Sequence, residues 1–275
     1  MAIRVPDTLT TDNSEKYEVS IRLSSGGLSF SGYIKGERGS FFYETASFDG
    51  DVNMIQSLKN IFFDNICLSY IYKSVYVVCP SGKYTLTPDS VYVEKNKDLL
   101  FKFCHKEDKS KKIIAQPLND LSSTLIFEVD TEVYEFLARS LVSPQFVHSL
   151  SPMLLAWQKE SLAIFSKQMY VAVYDNYFDV VCFMRDELLF VNSFDYETGN
   201  DIIYYVMYVC KRLDINQFDD CLHFYGNKTV CQEAMSMVRS YIGRLDYVEP
   251  AVVSYKAPLN ANCFMDIVTL TECGL

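Results

Sequence analysis

The residues best suited to bind a metal ion are three histidines and nine cysteines among the 275 residues of the chain. Cys221 and His223 stand two apart in a predicted strand, so their side chains point to the same side of it. One metal ion could use both. A zinc site needs further ligands, and the sequence has no CxxC or HxxxH pair to supply them. We therefore expect no metal site.

Covalent and acid–base catalysis have little support in the sequence. The run Cys79–Lys83 ends in Gly-Lys, as a phosphate-binding loop does, but the rest of that motif's spacing is missing. Catalytic triads are assembled in space, so none can be identified from chain order alone. Asp175, Asp179 and Asp195 could serve an enzyme acting on some other substrate, although nothing sets their spacing. We predict no catalytic residue and keep an enzyme as the least favoured interpretation.

The overall charge disfavours a nucleic-acid partner. The chain carries 35 acidic and 25 basic residues, a formal net charge of −10, whereas phosphate binding depends on clustered Lys and Arg. The main basic run, Lys106–Lys112, contains Glu107 and Asp108. It is better explained as the solvated tip of a hairpin.

The cysteines favour a reducing compartment. Their number is odd, and most lie in apolar stretches, as buried thiols do: Cys67, Cys79, Cys182, Cys210, Cys221 and Cys263. Met1–Lys16 is polar and lacks the apolar core of a secretory signal. The longest candidate for membrane insertion, Ile202–Cys210, has about half the length that a spanning helix needs. We expect a soluble, cytoplasmic protein with reduced thiols.

A repeat organises the chain. Residues 17–78 and 169–225 both follow the order strand, turn, strand, turn, strand, helix, strand, and both close the third strand on Ser-Phe-Asp, at 47–49 and at 193–195. Such a duplication predicts two related lobes with a cleft between them, where ligands usually bind. The predicted domains are a flexible tail over 1–16, a first lobe over 17–167 with an insertion at about 80–123, and a second lobe over 168–275.

The two copies predict matching elements. In the first, strands are expected over Tyr17–Leu23, Leu28–Lys35, Ser40–Phe48 and Val75–Val78, with a helix capped by Asp51. In the second, strands are expected over Met169–Tyr174, Phe178–Met184, Leu188–Phe194 and Cys221–Tyr225, with a helix over Ile202–Leu213. The second helix is apolar nearly all round, so we expect it to be covered on both faces, by the other lobe or by a partner.

The remaining segments complete the prediction. In the insertion we expect a short helix from Pro88 and strands over Leu99–Cys104 and Lys112–Pro117, after which Thr124–Val129 resumes the core. The other expected elements are helices over Thr131–Leu141, Pro152–Ser166 and Val230–Gly243, and strands over Gln145–His148 and Leu245–Val248. After Pro250 the prediction stays open: Ala251–Tyr255 looks extended, and Cys263–Leu270 fits either state.

Three hairpin-linked strands, a helix and a fourth strand resemble the opening of a ribonuclease-H-like domain. Two such units in tandem resemble the actin-like ATPase superfamily, within which the chain is similar to PilM-type proteins of pilus assembly. It is more similar still to a domain-of-unknown-function family found in Bacteroidetes. The segments that carry the likeness are Ser20–Ser24, Val173–Asp179, Leu189–Phe194 and Tyr204–Cys210. The implied fold class is α/β, with two tandem RNase H-like (actin-like) lobes, each a mixed sheet with flanking helices.

The resemblance also implies a nucleotide site, of which this chain keeps only part. Active members place an Asp, which holds hydrated Mg²⁺, and a Gly in the turn between the first two strands of each lobe. The first turn, Ser24–Gly27, has glycines but no carboxylate. The second has Asp175, followed by Asn176 and by Tyr177, which we expect to obstruct a phosphate. The adenosine loop keeps Gly226, one of two usual glycines.

If a nucleotide binds, Ser24, Gly26, Asp175 and Gly226 are the residues expected to contact ATP and Mg²⁺. Each also has an ordinary explanation, as a turn residue or as the neighbour of a helix cap. Hydrolysis needs all the parts together, so we predict no ATPase activity and no cofactor. An ATP-binding switch with little hydrolysis is the alternative.

Resemblance to PilM-type proteins implies a protein or peptide partner. We predict a non-catalytic scaffold or interaction protein that binds through aromatic residues, since these give large contact area at modest entropic cost. The predicted contact residues are Tyr177, Tyr205 and Tyr208. Phe178 and Tyr204 are further candidates that fit the core better, and a homodimer is also open.

Overall fold

The computed structural model describes residues 3–249 and 264–273. These divide into two compact units. Unit 1 holds residues 3–151 and 264–273, and unit 2 holds residues 152–249. The boundary falls at Ser151, earlier than the residue 167 expected from sequence, and the chain returns to unit 1 after unit 2.

Unit 1 begins with the first copy of the repeat. In chain order its elements are β1 (Glu18–Ser24), β2 (Gly27–Tyr33), β3 (Phe42–Ser47), α1 (Met54–Asp64), β4 (Ser74–Cys79), β5 (Tyr84–Pro88), α2 (Lys97–Cys104), β6 (Lys111–Leu118), β7 (Ser123–Asp130), α3 (Thr131–Ser140) and β8 (Gln145–His148). Short 3₁₀ turns at Ser14–Lys16, Ile66–Ser69, Glu94–Asn96 and Asn119–Leu121 complete it.

Helix α4 (Leu150–Ser161) carries the boundary. Unit 2 continues with β9 (Gln168–Val173), β10 (Tyr177–Met184), β11 (Glu187–Asp195), α5 (Gly199–Arg212), β12 (Cys221–Gly226), α6 (Lys228–Val238) and β13 (Leu245–Tyr247). The last described element, α7 (Met265–Cys273), belongs to unit 1.

The two units contain the same five-stranded sheet. Its order is β3-β2-β1-β4-β8 in unit 1 and β11-β10-β9-β12-β13 in unit 2. In both, the first three strands form an antiparallel meander and the last two run parallel to the first strand. The duplication and the mixed α/β fold predicted from sequence are therefore confirmed.

The insertion forms a separate three-stranded sheet of order β5-β7-β6, and three predictions there were wrong, including the return of Thr124–Val129 to the core. Residues Leu99–Cys104 are helical, because the alternation of Leu99, Phe101 and Phe103 does not reflect burial: Phe101 is buried while the other two are exposed. Pro88 ends strand β5 instead of starting a helix. Strand β7 pairs with β5 and β6 and not with the main sheet of its unit.

Helix α1 starts two residues later than expected. Asn53, and not Asp51, is its cap, because the Asn53 side chain accepts a hydrogen bond from the Gln56 backbone N–H at 2.9 Å. The extended segment predicted at Ala251–Tyr255 lies outside the described residues. Of the segment whose state was left open, Cys263–Leu270, the residues from Met265 onward form helix α7.

The core of unit 2 lies between the sheet and helices α5 and α6. One face of the sheet buries Met169, Val171, Leu222 and Phe224 against these helices. On the opposite face, Trp157 of α4 stacks on Tyr170 with ring centroids 4.8 Å apart. Within the two described segments no helix is long and apolar enough to cross a membrane. The apolar run of α5 is instead one wall of this core.

Candidate functional site

The first-turn residues of unit 1 are accounted for by sheet geometry. Ser24 ends β1, and its Oγ donates a hydrogen bond to the Gly27 carbonyl at 2.9 Å. A Cβ on Gly27 would lie 2.3 Å from the Ala46 carbonyl oxygen, so this glycine lets β2 and β3 approach. A Cβ on Gly26 would meet no other group within 4 Å, so packing does not require a glycine there.

In unit 2 the structure brings Asp175 and Gly226 to one edge of the sheet. Gly226 is the last residue of β12, and Asp175 lies two residues after the end of the neighbouring parallel strand β9. The two strand ends are adjacent, because Gly226 pairs with Val173 in the sheet. Gly226 has φ +98°, and a Cβ there would lie 2.0 Å from the Val173 carbonyl oxygen. Asn227 caps α6 by accepting the Val230 N–H at 3.2 Å. Ser24 and Gly26 belong to unit 1.

Tyr177 is a packing residue. It is buried, and its ring stacks on Tyr174 with centroids 4.6 Å apart. The backbone around the turn is held by the Tyr196 hydroxyl, which donates to the Tyr174 carbonyl at 2.6 Å. A buried ring offers little contact area, so Tyr177 is a poor candidate for partner binding. For the same reason it does not stand exposed beside Asp175 as an obstacle to phosphate.

The three carboxylates considered from sequence occupy different environments. Asp175 and Asp195 are exposed at strand ends, whereas Asp179 is fully buried in β10. Ser193 Oγ donates a hydrogen bond to Asp179 Oδ1. Two solvated carboxylates at turns and one buried carboxylate bonded to a serine fit structural roles in strands β10 and β11.

Helix α5 presents aromatic side chains to solvent. It begins with a capping box between Thr198 and Asp201, and its inner side buries Ile202, Val206, Val209 and Cys210. On the outer side Tyr204 is 66% exposed and Tyr208 49% exposed. The outer side of α5 is therefore exposed to solvent, and its predicted cover by a partner stays a prediction. Phe178 is fully buried, but Tyr204 is not a core residue.

Tyr205 joins α5 to the edge strand of the sheet. Its ring stacks on Phe194 of β11 with centroids 4.5 Å apart and planes at 20°. The Phe194 ring in turn stacks on that of Phe190, with centroids 6.5 Å apart and planes at 10°. Strand β11 is terminal in its sheet order. Tyr205 is therefore half-buried and supports the exposed tyrosines more than it offers contact area.

A shallow cavity of about 570 Å³, largely open to solvent, lies beside the carboxyl-terminal half of α5. Its wall includes Met207 and Lys211 of the helix, and Phe218 and Tyr241 from the following segments. Phe218 is 74% exposed and Tyr241 is 58% exposed. We define the aromatic surface as four exposed residues of unit 2: Tyr204 and Tyr208 on the outer side of α5, and Phe218 and Tyr241, which line the cavity. Sequence reasoning missed the last two, because Phe218 and Tyr241 lie in turns and belong to no periodic apolar pattern.

The histidines divide into buried and partly accessible ones. His148 is fully buried: its Nδ1 accepts the Leu150 N–H at 3.1 Å, and its Nε2 donates to the Ser81 carbonyl at 2.9 Å. Burial lowers the pKa of His148 to about 4. His105 contacts the Tyr84 carbonyl at 2.8 Å. Both are structural, whereas His223 lies beside Asp246, with His223 Nδ1 3.7 Å from Asp246 Oδ2.

The repeated sheets define the actin-like ATPase fold, and comparison with solved structures agrees. A Bacteroides thetaiotaomicron protein with actin-like ATPase fold and unknown function is 30% identical, with a TM-score of 0.85 over 96% of this chain and 99% of that one. A PilM-PilN type IV pilus biogenesis complex is more distant, at 11% identity and TM-score 0.54, over 85% of this chain and 88% of that one.

The chain belongs to the family described as "Protein of unknown function (DUF3822)", whose model matches residues 6–245. Comparison with curated proteins gave no match. The resemblances inferred from sequence, to a domain-of-unknown-function family and to the actin-like superfamily including PilM, are thus confirmed.

Proposed function

We propose that this chain is a non-catalytic interaction protein and that the aromatic surface of unit 2 binds a segment of a partner protein. The observation that supports the proposal is the exposure of Tyr204 and Tyr208 on the solvent side of α5. Single exposed apolar residues are common, but an aromatic pair beside a cavity with two further exposed aromatics is typical of interaction sites.

Charge narrows the chemistry of the partner. Between residues 152 and 249 the chain carries fourteen Asp and Glu against eight Lys and Arg. An acidic surface attracts basic partners and repels acidic ones. The proposed occupant is therefore a segment that alternates apolar residues, which enter the cavity beside Met207, with Lys or Arg at its rim.

Two further observations are consistent with this proposal. The distant PilM structure was solved with a protein partner, PilN, which offers an analogy at the level of fold only. Seven cysteines of the described residues are free thiols, six of them buried. A reducing cytoplasm suits buried free thiols, and we place the interaction there.

The test is photo-cross-linking in the cells that produce the chain. A photoreactive phenylalanine analogue replaces Tyr208 in one variant and Phe63 in the control. Phe63 is 90% exposed on α1, the helix of unit 1 that corresponds to α5. We expect position 208, and not position 63, to capture one segment that is apolar and basic. A synthetic peptide of that segment should bind the full chain with micromolar affinity.

Variants then assign the binding to the surface. Tyr204→Ala with Tyr208→Ala should weaken peptide binding at least tenfold, because aromatic contacts dominate interface energies, whereas Phe63→Ala should leave it unchanged. An acidic captured segment, equal capture at both positions, or no loss in the double variant would contradict the proposal. Cross-links between two copies of the chain would replace the proposed partner by a homodimer.

A nucleotide switch is the second candidate, and one observation favours it. Asp175 and Gly226 lie together at the carboxyl edge of parallel strands in unit 2, the position at which ligands bind in open α/β sheets. Against it stands the packing role of Gly226, whose hydrogen atom is all that fits against Val173. A melting experiment with Mg-ATP separates the two candidates.

A further inference from the structure

Three potential metal ligands converge on strands β12 and β13 of unit 2. One ligand atom from each of Cys221, His223 and Asp246 lies within 4.8 Å of the other two. Cys221 and His223 point to the same side of β12 because they are two residues apart. Asp246 joins them because it is the cross-strand partner of His223 in the parallel pairing. The sequence showed the first two ligands; only strand pairing supplies the third.

Gln168 fixes which nitrogen of His223 carries the proton. The Gln168 side-chain N–H₂ group is directed at oxygen acceptors, the Ser166 carbonyl at 3.3 Å and the Lys167 carbonyl at 3.1 Å, as well as Ser166 Oγ at 3.0 Å. Its Oε1 must then face His223 Nε2, at 2.9 Å. An amide oxygen only accepts, so Nε2 donates and the lone pair of the neutral ring is on Nδ1.

The lone pair of His223 Nδ1 faces a carboxylate. The 3.7 Å between Nδ1 and Asp246 Oδ2 exceeds a hydrogen-bond distance. A cation placed between two acceptors that face each other would be attracted to both. Ligands at about 2.1 Å from a tetrahedral metal are roughly 3.4 Å apart, close to the observed separation.

We propose that Cys221, His223 and Asp246 bind one Zn²⁺ ion, with a fourth coordination position open to water. Thiolate and imidazole ligands favour zinc over Mg²⁺ or Ca²⁺. The Gln168–His223 hydrogen bond supplies the outer-shell support that metal-bound histidines usually have. The side chain of Asp246 is 67% exposed and that of His223 17% exposed, so the ion enters from the Asp246 side.

Zinc binding requires that the Cys221 thiol lose its proton. A thiol binds zinc as the thiolate, so the Cys221 proton is released to solvent as the metal–sulfur bond forms. A Cys–His–Asp catalytic triad fits less well, because the two ring nitrogens of His223 already face Gln168 and Asp246 and neither is left for the thiol.

The test is Co²⁺ titration of the full chain, kept reduced and freed of metal with a chelator. We expect one Co²⁺ per chain, a thiolate-to-cobalt charge-transfer band, and displacement by Zn²⁺. Asp246→Asn should weaken binding at least tenfold, and Gln168→Met ten- to a hundredfold. Cys221→Ser should abolish the band. Melting curves establish that each variant is folded, and Asp246 is exposed enough for its variant to fold.

Matched controls separate this site from adventitious thiols. Cys104 is exposed in unit 1, and Asp186 is an exposed carboxylate in unit 2. Cys104→Ser and Asp186→Asn should leave stoichiometry, affinity and band unchanged. The absence of a thiolate band, its loss in Cys104→Ser, or full affinity in Asp246→Asn would overturn the proposal.

Discussion

Helices α1 and α5 occupy the same place in the two copies of the sheet, yet they meet solvent differently. On α1 the outer side is polar apart from Met54 and Phe63, and Gln56 donates to Asn60 at 3.0 Å, one turn further on. On α5 the equivalent side carries Tyr204 and Tyr208. The inner faces of both helices bury aliphatic residues. The fold therefore constrains only the inner face and leaves the outer face to differ between units.

The two units also differ in how far their charged and histidine side chains are enclosed. Unit 1 encloses an ion pair between Arg22 Nε and Asp266 Oδ2 at 2.7 Å, both nearly inaccessible, and the neutral His148. Unit 2 places its Cys221–His223–Asp246 cluster next to an edge strand, with the Asp side chain in solvent. The buried ion pair of unit 1 is thus closed to solvent, whereas the cluster of unit 2 is reached by solvent through Asp246.

The largest expected effect breaks the buried pair of unit 1. Asp266→Ala leaves the Arg22 guanidinium buried and without its carboxylate, which costs about 3–5 kcal/mol of unfolding free energy. Chemical denaturation of the purified chain measures the loss. Replacing both partners, Arg22→Met with Asp266→Leu, should recover most of it. If the single variant loses less than about 1 kcal/mol, the pair does not fix α7 against β1.

The next effect is a pH dependence from His148. Its pKa lies near 4 in the folded chain and at its ordinary value of 6.5 when unfolded. Only the unfolded chain binds a proton between these values, so the contribution of neutral His148 is complete above pH 6.5 and lost as the pH falls to about 4. The loss is roughly 3 kcal/mol.

Comparison of wild type with His148→Gln, by urea denaturation from pH 7 to pH 4, isolates that contribution. The variant should lose less stability over this range by roughly the same 3 kcal/mol. Parallel curves for the two proteins would contradict it. His223 serves as the contrast: it lies nearer the surface, so His223→Gln should alter the pH dependence less.

Features set by residues close together in the chain could be predicted from the sequence, whereas features set by contacts between distant segments could not. The tripeptide at 47–49 and 193–195 marks the duplication because local turn chemistry and alternation repeat with the strands. Helix α2 was missed because its alternation imitates a strand. Asp246, Phe218 and Tyr241 were missed because strand pairing and packing, which act across distant segments, bring them to their sites. The burial of Tyr177 and its stacking on Tyr174 could not be predicted, because they depend on how the turn between β9 and β10 folds.

A smaller difference in stability is expected between alanine variants of two turn glycines, one in each unit. Gly226→Ala would force a Cβ against the Val173 carbonyl at positive φ and should destabilise the chain by about 2 kcal/mol or more. Gly26→Ala meets open space and should change stability by no more than about 0.5 kcal/mol. Thermal melts of both variants check this. Equal losses would indicate that Gly26 has a backbone role that its surroundings do not reveal.

The smallest expected effect is the response to nucleotide. A ligand at about a hundred times its dissociation constant stabilises a fold by roughly 2.7 kcal/mol, which for a chain of this size raises the melting midpoint by about 5–10 °C. For millimolar Mg-ATP we expect a shift within about 1 °C, with Mg-ADP and buffer as controls. The first turn lacks a carboxylate, and the glycine at 226 is required for packing.

A rise of several degrees that disappears in Asp175→Ala would favour the nucleotide switch over the interaction protein. A rise that survives Asp175→Ala would place the nucleotide elsewhere in the molecule. The aromatic surface is on α5 and the Asp175 turn follows β9, so each variant tests one site. If Asp175→Ala removes the rise of the melting midpoint with Mg-ATP and Tyr208→Ala weakens partner binding, the two proposals describe separate sites of unit 2. Unit 2 would then differ from unit 1 both in its nucleotide site and in its aromatic surface.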